Sequence, residues 1–187
     1  RALSLAIDRK MLVEKILRGG QQPAFAIVPP GLPGYTPPTG PGHDPAAARA
    51  ILKDAGFPEG RGLPPLELLF NTSANHRLVA EAVQEMWRRE LGIDVRLVNQ
   101  EFKVVLSERR AGRFQILLSD WSADYLDPTN FLDLWRSDSG NNHTGWSSPE
   151  YDALMFAAAR TADPVERAAQ FQRAESLMLA ASPVIPV

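Results

Sequence analysis

Asp120, Trp121, Ser122, Asp124, Tyr125 and Asp127 crowd into one short stretch, and their side chains are the best placed in this sequence to do chemistry. A carboxylate beside aromatic rings offers a seat for an ammonium group, through charge pairing and the attraction of a cation to a ring face. Asp124, between Trp121 and Tyr125, is the candidate for that role, and a solvated loop carboxylate is the alternative. Asp127 precedes Pro128 and reads as a helix cap. Asp120 and Asp124 also admit a hydrolase with paired carboxylates, a reading motivated only by their closeness in sequence. Their spacing matches no calcium loop. His43, His76 and His143 lie far apart without metal-ligand spacing and read as surface or cap residues. Nucleophile-elbow, phosphate-loop, dinucleotide and zinc-helix motifs do not occur. No metal, cofactor or catalytic residue is expected, and binding without covalent chemistry is the favoured reading.

The elements that must position these residues alternate. Leu66–Phe70 reads as a strand, residues 74–91 as a helix with Val79, Val83, Met86 and Trp87 on one face, and Ile93–Val98 as a strand. A helix over 101–111 stops at Gly112, and Phe114–Leu118 supplies a third strand. Such alternation favours right-handed crossovers and parallel strands. Ligands of parallel sheets bind beyond the carboxyl ends of the strands. Asn71-Thr72-Ser73 with His76, Asn99-Gln100-Glu101 and residues 120–125 would line that edge.

Asp8 is expected to cap a helix that Gly19-Gly20 ends, and Asp44-Pro45, Asp127-Pro128, Ser148-Pro149 and Asp163-Pro164 are expected to open four more. Asp163 and Glu166 suit a capping box on a helix running to about Ala180. From 23 to 45 prolines and glycines are dense, which predicts an extended surface loop within a single lobe spanning 1–187. The chain opens at Arg1 inside an apolar stripe and closes on Val184–Val187, expected to enter a sheet, so it reads as a piece of a longer protein.

At 187 residues the chain can bury a substantial core, and 44% hydrophobic with 22% charged residues is ordinary for a globular protein. A net charge of -2, with basic residues interleaved among acids, argues against nucleic acid as a partner. Without cysteine there is neither a disulfide nor a thiolate site, and no apolar run approaches the length of a membrane span.

The run Trp121-Ser122-Ala123-Asp124-Tyr125-Leu126-Asp127-Pro128-Thr129-Asn130-Phe131-Leu132 closely resembles the motif of family 5 solute-binding proteins, the peptide receptors of bacterial ABC importers. Ala6-Ile7-Asp8-Arg9, Pro29-Pro30, Ala55-Gly56-Phe57, Asn71-Thr72-Ser73 and Asn141–Trp146 agree in order and spacing, so the likeness covers essentially the whole chain.

The resemblance implies an α/β, periplasmic-binding-protein-like lobe, with a mixed, partly parallel sheet flanked by helices, that closes on an N-terminal lobe lying outside this sequence. It implies a periplasmic or extracellular receptor, free or lipid-anchored, handing a short peptide to ABC permease subunits. It makes Asp124 the partner of the ligand's α-ammonium group, places His76 near the ligand's carboxylate, and makes Trp121 and Ser122 wall and main-chain contacts. Arg109 would lie near ligand side chains, a helix C-terminal cation being the equal alternative. Tyr125 and Asn71 complete the expected binding set. Leu118 stands where some oligopeptide receptors carry a second arginine, which leaves the hold on the ligand's carboxylate and the ligand's length open. Sugar, nickel-chelate, haem and opine binders belong to the same family, and the intact Asp124 and His76 favour peptides.

Overall fold

A computed structural model describes all 187 residues. Its contacts divide into two compact units, one formed by residues 1–23 and 42–120 with Val187, the other by residues 24–41 and 121–186.

The first unit is built on three parallel strands, β1 (Leu66–Asn71), β2 (Val95–Gln100) and β3 (Ile116–Leu117), in the order β2-β1-β3. The register sets Leu68 beside Leu97 and Ile116, and Leu69 beside Val98 and Leu117. β3 is shorter than the expected 114–118, although Leu118 N–H still donates to Leu69 O. Helix α4 (Ala74–Leu91) links β1 to β2 and buries Val79, Val83, Met86 and Trp87, the apolar face read from the 3.6-residue period. Gly92 ends it at φ 67, a left-handed conformation that glycine adopts without strain. Helix α5 (Phe102–Arg110) links β2 to β3 and buries Val105.

Three N-terminal helices pack beside this layer: α1 (Ala2–Leu5), α2 (Arg9–Leu17) and α3 (Pro45–Asp54). Trp87 Nε1–H donates to Leu3 O at 2.9 Å, tying α1 to α4. Asp8 caps α2 by accepting from Met11 N–H at 2.9 Å. Arg9 is buried and donates to Ser4 O, Ser4 Oγ and Ile7 O, satisfying carbonyls that α1 leaves open. Burial lowers its guanidinium to about 10, so it stays cationic at neutral pH. The second half of α2, Leu12–Leu17, widens into π-helical turns and ends on Arg18 at φ 53, one residue before the expected Gly19-Gly20 stop.

The second unit is helical: α6 (Thr129–Leu132), α7 (Pro149–Ala158) and α8 (Pro164–Ala181). Ser148 caps α7 through Tyr151 N–H, and Asp163 caps α8 through the amides of Val165 and Glu166. Val28, Leu32, Tyr35, Phe131, Leu132, Tyr151, Phe171 and Met178 share one core.

Two expectations change. The segment from 23 to 44 forms neither helix nor strand, as its prolines dictate, yet it is no mere surface loop: Val28, Leu32 and Tyr35 are buried. Three donors explain its anchorage. The amides of Ile27 and Val28 donate to Glu175 Oε1 at 2.7 and 2.8 Å, and the Tyr35 hydroxyl donates to Oε2 at 2.6 Å. At the other end Val184–Val187 forms no strand. Apolar residues do not make a strand without a neighbour to pair with, and Pro183 and Pro186 contribute no amide donors.

Candidate functional site

At the carboxyl edge of the parallel sheet, residues 71–76 make the turn from β1 into α4. Asn71 is the last residue of the strand, Ser73 is the N-cap, and His76 sits in the first helical turn. This turn aims the imidazole back at the strand end, with His76 Nδ1 2.7 Å from Asn71 Oδ1. On the far side of the ring, Nε2 lies 3.8 Å from Asp120 Oδ1. The imidazole is largely sheltered, with 16% of its side chain exposed, whereas Asp120 is 79% exposed. Thr72 N–H donates to Gln100 O, and Thr72 Oγ1 donates to Asn99 Oδ1 at 3.0 Å, joining the ends of β1 and β2. Gln100 Oε1 is buried without a donor.

Arg109 lies in the last turn of α5, and its Nε is buried without an acceptor. Buried polar atoms without partners are uncommon in folded proteins, and a bound molecule is one way to supply them. The structure puts Arg109 at neither the Asn71–His76 pair nor any carboxylate.

In the second unit, residues 121–128 run without helix or strand and are held at defined points. Trp121 Nε1–H donates at 2.9 Å to Oδ1 of Asn130, which is buried, so the ring is fixed while 44% of the residue stays exposed. The Tyr125 hydroxyl lies 3.4 Å from Thr129 Oγ1. Asp127 caps the following helix through Thr129 N–H and Oγ1, and meets Arg167 in two bonds of 2.8 and 2.9 Å. Burial pushes its carboxyl up, but the Arg167 and Thr129 hydrogen bonds outweigh that and hold it at about 2. Asp127 is thereby committed to structure.

Ser122 and Asp124 are exposed between these anchors, and Asp124 has neither a hydrogen bond nor an ion pair. The expected binding residues are therefore distributed. Asn71 and His76 meet in the sheet unit, Arg109 stands apart on α5, and Trp121, Ser122, Asp124 and Tyr125 follow one another on one anchored loop. Sequence reasoning placed Asp120 only as a loop acid and gave Gln100 no role beyond the strand edge. The strand register that sets Gln100 opposite Asn71 was the available signal.

No group of three or more histidine, aspartate or glutamate side chains converges as a metal site would require. No helix is long and apolar enough to cross a membrane.

Comparison with known proteins adds the lineage. The family model for bacterial extracellular solute-binding proteins, family 5, matches residues 1–143. The chain is 35% identical to the periplasmic murein peptide-binding protein MppA of Escherichia coli K12 over all of its own length and 36% of the relative's. The solved structure of E. coli MppA superposes with a TM-score of 0.92, covering 100% of this chain and 38% of that one. It is also 35% identical to the oligopeptide-binding protein OppA of Bacillus subtilis 168, again over the whole chain and 36% of the relative. The structure of Haemophilus influenzae OppA in complex with the peptide RPPGFSPFR superposes with a TM-score of 0.88 at 30% identity, covering 100% of this chain and 38% of that one. The chain thus spans little more than a third of the length of these relatives.

Proposed function

The chain belongs to the family 5 bacterial extracellular solute-binding proteins, and on that premise we propose that it is a ligand-gripping lobe of a receptor that captures short peptides for an ABC importer. A second lobe of the same receptor supplies the opposite wall, and the permease subunits receive the ligand. The relatives MppA and OppA are named as peptide-binding proteins, and OppA has been solved with a peptide bound. The names of several relatives place them in the periplasm, and we assign this chain to the same compartment. Its role is non-covalent, so no enzymatic turnover is expected.

The observation that carries the reading is Asp124. It is an exposed carboxylate without a partner, in a loop fixed on one side by Trp121–Asn130 and on the other by Asp127–Arg167. A positioned but unsatisfied anion is ready to take a cation from outside the fold. A peptide's α-ammonium supplies one, and the neighbouring rings of Trp121 and Tyr125 offer faces that favour it further. Enclosure between two lobes then makes the pair selective, since a ligand without the amine leaves a buried carboxylate unpaired. Trp121 and Ser122 provide wall and main-chain contacts, and Asn71, His76 and Arg109 contribute to other parts of the ligand.

Titration calorimetry on the full-length receptor, with short unmodified peptides, oligosaccharides and a nickel chelate as separate ligands, tests this. Micromolar or tighter binding of peptides alone supports the reading. Binding of a sugar or chelate with peptides inert would replace it.

A further inference from the structure

We propose that His76 and Asp120 form a subsite for a donor-rich, cationic group on the ligand, an ammonium or guanidinium of a side chain, and that this end of the sheet disfavours a ligand carboxylate. The inference rests on the peptide reading above and adds a ligand class to it. It turns on Asp120, which places a negative charge where His76 alone would be open to an anion.

The argument begins with the imidazole. Asn71 presents its oxygen to Nδ1 at 2.7 Å, and an amide oxygen only accepts, so the ring proton sits on Nδ1. Neutral His76 then turns the lone pair of Nε2 outward. Asp120 Oδ1 is 3.8 Å from that nitrogen, too long for a hydrogen bond between them. Two acceptors facing each other across this gap have no proton to share. A single donor nitrogen, about 2.9 Å from each, bridges them.

A third acceptor lies along the same edge. Gln100 is the register partner of Asn71, so the two side chains leave the sheet on the same face, from strands about 4.8 Å apart. Its Oε1 is buried with no donor. Thr72 Oγ1–H, the hydroxyl donor at this edge, already points to Asn99. Acceptors are in excess, which is the complement of an ammonium or guanidinium carrying several N–H groups. A ligand carboxylate in the same place would meet Asp120 as a like charge and find no free donor on neutral His76.

The experiment uses the full-length receptor and tripeptides in which one position at a time carries lysine, methionine or glutamate. Affinities are measured by calorimetry for the wild type and for Asp120→Asn, a substitution at an exposed side chain that leaves the packing alone. We expect one position at which the lysine peptide binds about five- to tenfold more tightly than the glutamate peptide, a modest ratio because Asp120 is partly screened by water. Asp120→Asn should shrink that ratio to twofold or less while changing the methionine peptide less than twofold. A wild-type preference for glutamate at every position, or a lysine preference that survives Asp120→Asn, overturns the subsite while leaving peptide binding intact. Absence of binding by all the peptides overturns the peptide reading, and the subsite with it.

Discussion

The Tyr35 hydroxyl donates to Glu175 Oε2 at 2.6 Å, closing a contact between residues 140 positions apart. With the amides of Ile27 and Val28 on Oε1, it gives Glu175 three donors and no cation, in a side chain that is completely buried. The carboxylate is the fastening of the proline-rich segment onto α8.

Removing it leaves three donors stranded. Each buried unsatisfied group costs about 1–3 kcal/mol, so Glu175→Ala should lose at least about 3 kcal/mol in chemical denaturation. Glu175→Gln keeps an oxygen for the two amides and an N–H for the Tyr35 oxygen, and should stay within about 1 kcal/mol of the wild type at neutral pH.

Glu175 also sets a pH dependence. Burial pushes its carboxyl above the ordinary 4.5, against the opposing hydrogen bonds from Tyr35, Val28 and Ile27. The folded state therefore holds the proton more tightly than the unfolded one. Its contribution to stability is fully present below 4.5 and declines as pH rises through the raised value. Denaturation midpoints taken across this range should show that decline in the wild type and a flatter profile in Glu175→Gln.

Asp127 works in the opposite sense. Its carboxyl, held at about 2 against an ordinary 3.8, stabilises the fold above 3.8, and that contribution is lost as pH falls towards 2. Arg167→Ala should remove about 1.5–3 kcal/mol, the range for hydrogen bonds to charged groups, and weaken the acid dependence. Urea titrations at neutral pH and near pH 3 check both.

Gly40 is required by closeness. A Cβ there would fall 1.9 Å from Phe25 O. Gly40→Ala must move backbone, and should lower the melting temperature by several degrees, as an insertion costing about 1–3 kcal/mol does.

Local chemistry made much of this fold readable. The period of α4, its Gly92 stop, the caps at Asp8, Asp44, Ser148 and Asp163, and the parallel strands all follow from signals a few residues long. Harder to read were interactions spanning large separations. Glu175 joins residues 147 and 148 positions away, and its only local sign is an acid inside the apolar stripe of Phe171, Ala174 and Met178. The π-helical half of α2 carries no composition that distinguishes it from an ordinary helix. At the candidate site, Asn71 and His76 were legible as neighbours on one turn, whereas the approach of Asp120 to His76 depends on β3 lying beside β1.

The most direct measurement concerns Asp124. In the full-length receptor, calorimetry with a peptide bearing a free amine should show at least about a thirtyfold loss of affinity in Asp124→Asn, matching the roughly 2–5 kcal/mol carried by an enclosed, hydrogen-bonded charge pair. Acetylating the peptide's amine should weaken binding to the wild type by a similar factor and add little further in the variant. Equal affinities for free and acetylated peptide, unaltered by Asp124→Asn, would contradict the account.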